Sequence, residues 1–79
     1  MKDSTKVVKN ACNVAESKLT DLKYSYESGN LTKLTYIQRL YDMLDSLNQF
    51  NRGEYTPKAH CYIKRVIGLV NKQIEEVSS

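Results

Sequence analysis

Three apolar-periodic stretches, parted by two glycine-containing turns, take up almost the whole of this chain. Gly29 and Gly53 each follow the last residue of such a stretch, where a helix commonly ends in a left-handed residue. The order that follows is helix, turn, helix, turn, helix, over about residues 5–28, 32–51 and 57–77. No long loop remains to carry a catalytic constellation, and no glycine-rich phosphate cradle is present. What such a chain offers the outside world is its surface.

The first stretch repeats Val8, Cys12, Ala15, Leu19, Leu22 and Tyr26 at spacings of four, three, four, three and four. That is a seam of two apolar residues per heptad. Val7, Ala11 and Val14 are expected to widen it on one side, and Ser4 or Thr5 to cap its start. The second stretch carries two adjacent stripes. One is Leu34, Ile37, Tyr41 and Leu44; the other is Tyr36, Leu40, Met43, Leu47 and Phe50. A helix so apolar must be covered on two sides, by its neighbours or by a partner. Thr32 is its expected cap, with Leu31 and Tyr36 in the positions of a hydrophobic staple. The third stretch opens on Thr56 and Pro57, a cap followed by proline at the first helical position. Ile63, Ile67, Val70, Ile74 and Val77 form its expected seam. Short connections make sequence neighbours antiparallel. The expected fold is therefore all-α, a three-helix up-down-up antiparallel bundle in one domain over residues 1–79, with a homodimer as a route to a larger bundle.

At 79 residues the chain is near the lower limit of what folds without staples. Its two cysteines, Cys12 and Cys61, form no CxxC motif and no Cys/His cluster, so no metal site is expected. At 1.5 Å rise per residue they would differ by only about 5 Å in height if the first and third helices run parallel. A disulfide is thus geometrically open, while the expected cytoplasmic setting favours free thiols. The polar start and the lack of a long apolar run give no sign of a targeting or membrane segment. Richness in Lys, Asn, Tyr and Ile fits an AT-rich bacterial, phage or mobile-element source.

No catalytic residue and no cofactor is expected. His60 is the sole histidine, and a solvated place in the first turn of a helix suits it. Adjacent Cys61 points about 100° away, which is poor for a Cys/His nucleophile. Asp42 and Asp45 share a wet strip but lack the inward Glu-x-x-His sets of bundle metal sites. The net charge of +3 is mild, yet its excess falls on the third helix and the turn before it. Lys58, His60, Lys64, Arg65 and Lys72 lie there, with Gly68 between two cations and Tyr55 and Tyr62 nearby. Glycine inside a helix costs about 1 kcal/mol against alanine, which suggests that something approaches the backbone at Gly68. Those eight residues are the expected partner-binding set. Six tyrosines suit a half-buried protein contact better than base reading.

In its general look, small, loop-poor and all-helical, the chain resembles bacteriocin-immunity and phage-encoded inhibitor bundles, although no motif carries a family assignment. The resemblance implies stoichiometric binding of another protein, as an inhibitor, immunity protein or adaptor. The alternative is a nucleic-acid-binding regulator that uses the basic third helix.

Overall fold

A computed structural model describes residues 5–78. They form α1 (Thr5–Glu27), α2 (Lys33–Phe50) and α3 (Pro57–Ser78), packed together, with no strand among the described residues. These bounds lie within a residue of those expected, which is ordinary ambiguity at helix ends. Ser4, one of the two expected caps of α1, is outside the described residues.

Each turn has a local cause. At the end of α1, the Gly29 amide donates to the Tyr26 carbonyl at 3.1 Å and the Asn30 amide to the Ser25 carbonyl at 2.9 Å. That pair of bonds is a Schellman motif, and Gly29 adopts the left-handed φ of 83° that it demands. Thr32 then caps α2: its Oγ1 accepts the Thr35 amide at 3.2 Å, and its carbonyl accepts the Tyr36 amide at 2.9 Å. Thr56 does the same for α3, with Oγ1 accepting the Ala59 amide at 3.2 Å. Its hydroxyl also shares a hydrogen bond of 2.9 Å with that of Thr5, which ties the start of α1 to the start of α3.

Gly53 departs from expectation. Among the described residues only Gly29 has a positive φ, so Gly53 is not a left-handed cap. A Cβ at Gly53 would instead stand 2.6 Å from the ring of Tyr55. Glycine leaves room there for an aromatic ring, which a side chain would have to displace, rather than reaching a special dihedral.

The core is closed by Val8, Cys12 and Leu19 from α1, Tyr36, Leu40 and Leu47 from α2, and Ala59, Ile63, Val66, Val70 and Ile74 from α3. α3 packs broadly against both neighbours, while α1 and α2 touch each other least. This arrangement makes two corrections. The buried residue on the third turn of α3 is Val66; Ile67, expected in the seam, is only half-buried. Because α3 is wedged between two helices, its seam turns toward the side that faces both. On α1, Val7, Ala11 and Val14 do not widen the core but lie exposed, because α2 packs mainly on α3 and leaves them uncovered.

Gly68 is exposed, and a Cβ built on it would meet nothing within 4 Å. No part of the described chain therefore needs that glycine. Gly68→Ala is expected to stabilise the isolated protein by up to about 1 kcal/mol, raising the melting temperature by about 4–8 °C. Thermal circular dichroism checks this, and an unchanged or lower midpoint would contradict it.

Candidate functional site

Charged side chains of the expected binding set share the outer face of α3. Lys58, Lys64, Arg65, Gly68 and Lys72 are all exposed. Lys58, Arg65 and Lys72 recur every seventh residue, so they form one line about 21 Å long. The line is not purely cationic. Arg65 Nη1 lies 3.7 Å from Glu16 Oε1 of α1, and the exposed Glu75 and Glu76 follow Lys72. A surface pair of this kind contributes little to stability, but it removes one cation from a would-be phosphate track.

The three aromatic members of that set lie elsewhere. Tyr55 packs edge-on against Phe50 at 5.3 Å and against His60 at 5.5 Å. His60 Nδ1 is 2.7 Å from Asn51 Oδ1, an acceptor, so the ring nitrogen donates. The solvated histidine expected here is thus half-buried and joins the end of α2 to the first turn of α3. The cause is the turn itself, since Gly53 lets the Tyr55 ring fold back onto both helices. Tyr62 is half-buried on the other flank of α3, where Lys9 Nζ of α1 lies 6.0 Å from its ring centroid. Tyr55, His60 and Tyr62 hold the bundle together more than they face outward.

The two cysteines are separate, Cys12 buried and Cys61 exposed, and both are free thiols. Burial raises the Cys12 pKa above its ordinary 9.0, and the nearby Glu16 carboxylate adds to this. A raised folded value means that the native state keeps its proton, so the contribution of Cys12 is intact below pH 9 and lost as pH rises beyond it. One thiol per chain is expected to react rapidly with a disulfide reagent at pH 8, and the second only at the rate of unfolding. Two fast thiols, or none, would contradict the burial of Cys12.

Sequence reasoning missed a cleft between α1 and α2, the least closely packed pair. Half-buried Leu22, Met43 and Phe50 and buried Leu47 line its depth. Ala11 and Val14 form its α1 wall, with Val14 55% exposed; Val7, one turn before Ala11, is 68% exposed. Its rim carries Lys18 on α1 and Arg39 on α2 against a single carboxylate, Asp42. Neither cation is in an ion pair among the described residues. The signal was legible: Val7, Ala11 and Val14 follow the same four-and-three spacing as the core seam, one position over. A second apolar feature is the ridge of Leu34 and Tyr41 on α2, 68% and 53% exposed.

Chemistry-bearing groups stay apart. Asp42 and Asp45 are exposed, and Asp45 Oδ2 accepts a hydrogen bond from Gln49 Nε2 at 3.3 Å. Among the described residues no group of three or more His, Cys, Asp and Glu is gathered where it would hold a metal ion. No helix among them is long and apolar enough to cross a membrane. Compared with protein-family models, curated proteins and solved structures, the chain matches none.

Proposed function

We propose that this chain is a small non-enzymatic binding protein of the inhibitor, immunity or adaptor kind, acting by stoichiometric contact with another protein. The observation that carries this reading is apolar surface left over after the core has closed: the exposed Val7, and the cleft that Ala11 and Val14 wall. A chain this small gains little stability to spare, and exposed apolar side chains gathered along one groove mark a contact surface.

The reading includes the course of the helices. An up-down-up path is supported by Thr5 meeting Thr56, by Tyr26 stacking on Tyr36, and by the Tyr36 hydroxyl donating to Gln73 Oε1. These contacts join the starts of α1 and α3, the end of α1 to the start of α2, and that start to the far part of α3. It also includes self-association through the Leu34–Tyr41 ridge, whose test is sedimentation of the parent against Tyr41→Lys.

The alternative, nucleic acid along α3, is favoured by the alignment of Lys58, Arg65 and Lys72 and weakened by Glu16 beside Arg65. One experiment separates the two. The tagged chain is recovered from its source cells and its complexes are sized. A protein bound at a fixed ratio, retained in Arg65→Ala/Lys72→Ala and lost in Val14→Asp, is the expected result. Retention of nucleic acid instead, falling steeply with salt and lost in the double variant, would overturn it.

A further inference from the structure

We infer that the occupant of the α1–α2 cleft is an amphipathic helix of another protein that carries acidic residues along the edge of its apolar face. This rests on the binding-protein reading and specifies its ligand.

Shape argues for a helix. The cleft is bounded by two helices that are each packed on α3 and touch one another least, which leaves a groove of the kind that a further helix fills in a bundle. From Ala11 to Leu22 it runs about 16 Å at helical rise, or three turns of an occupant. An apolar ridge with side chains at spacings of three and four would lie between Val14 and Phe50 and rest on Met43 and Leu47. A second copy of this chain is a poorer occupant through the same cleft. Isologous pairing sets concave surface against concave surface and leaves a void along the axis.

Charge argues for acidity. Lys18 and Arg39 stand on opposite walls without an ion-pair partner, against the lone carboxylate of Asp42. A carboxylate riding above the apolar ridge has a cation on either side, whereas a lysine there has two to avoid. Both cations are exposed at the rim, so the preference that they give is modest and is screened by salt.

Two synthetic helical peptides of three to four turns test this on the full chain. They share leucines at positions i, i+3, i+4 and i+7, and differ only in bearing glutamates or lysines on the flanks. By fluorescence anisotropy at low salt, the glutamate peptide is expected to bind about tenfold more tightly than the lysine peptide. The preference should shrink at about 1 M salt. Lys18→Glu/Arg39→Glu should reverse it, and Val14→Asp should abolish binding of both peptides; all three sites are exposed, and circular dichroism verifies that the variants fold. Absence of binding, equal binding of both peptides, or a preference that survives the charge reversal would overturn the inference. So would a homodimer of the parent that Val14→Asp dissociates. A source-cell complex that persists in Val14→Asp and in the charge reversal would overturn this inference alone, leaving stoichiometric protein binding through another face.

Discussion

Tyr36→Ala is expected to cost the protein about 3–5 kcal/mol, a larger loss than any other single truncation proposed for it. Tyr36 is 1% exposed, stacks on Tyr26 with ring centroids 4.4 Å apart and planes 12° from parallel, and reaches Gln73 Oε1 with its hydroxyl at 3.3 Å. Removing a buried aromatic ring costs about 3–5 kcal/mol. A domain of this size has a total stability of roughly 4–12 kcal/mol, so the loss is between a quarter and all of the margin. Thermal circular dichroism should show a drop of about 15–30 °C or no transition at all. Tyr36→Phe separates ring from hydroxyl and should lose only about 1 kcal/mol, the worth of one modest hydrogen bond. The hydroxyl has a pH signature as well. Burial raises the Tyr36 pKa above its ordinary 10.0, and the negative charges of the Glu27 and Glu76 carboxylates and of the Tyr26 phenolate add to it. The native state therefore holds this proton more tightly than the unfolded chain, so the contribution is full below pH 10 and lost above it. The parent should lose stability between pH 10 and 12 faster than Tyr36→Phe. A Tyr36→Ala protein melting within a few degrees of the parent would mean that this ring is not in the core.

The second large effect separates two neighbouring residues of α3. Val66→Asp is expected to abolish cooperative folding, while Ile67→Asp should fold with a loss of about 1–2 kcal/mol. Val66 is 1% exposed, so a carboxylate there has neither water nor a cation, and several kcal/mol follow from desolvation alone. Ile67 is half-buried, and a carboxylate at that place turns outward to solvent. Urea unfolding of the two variants side by side reads the difference. Equal losses would mean that α3 is rotated by up to about 50° from the orientation described, half of the 100° between neighbouring side chains, and a reversed order would restore the seam that spacing alone suggests.

That pair of residues marks where sequence reading ran out. The spacing from Ile63 to Val77 admits a stripe through Val66 or through Ile67, since both lie within half a turn of the same face. Only contact with two helices at once selects Val66. The same holds for α1, where Val7, Ala11 and Val14 look like an extension of the core because their spacing is right. They lie outside because α2 packs mainly on α3 rather than on α1, a choice of partner that periodicity does not encode. The two stripes on α2 were legible as stripes, but which of them is covered was not: Tyr36, Leu40 and Leu47 are buried, while Leu34 and Tyr41 are exposed. The candidate site shows the same division. Lys58, Lys64, Arg65 and Lys72 were rightly read as outward, because long charged side chains opposite an apolar seam have nowhere else to go. His60 was misplaced as solvated, because the fold-back of the Tyr55 ring onto it depends on space above Gly53 and not on helical phase.

Apart from the turn at Gly53 and Tyr55, the amino-acid order by itself determined what is settled within a few residues. Hydrophobic spacing set the three helices. Thr32 and Thr56 set where two of them start, and Gly29 set where the first one stops, since hydroxyl caps and a left-handed glycine act on amides and carbonyls no more than one turn away. The tertiary structure alone decided which faces are shared, and so which apolar residues were left over. That outcome depends on how closely three rods approach one another, a sum over contacts distant in sequence. The opening between α1 and α2, with Lys18 and Arg39 at its rim, lies where two helices that both pack on α3 touch each other least.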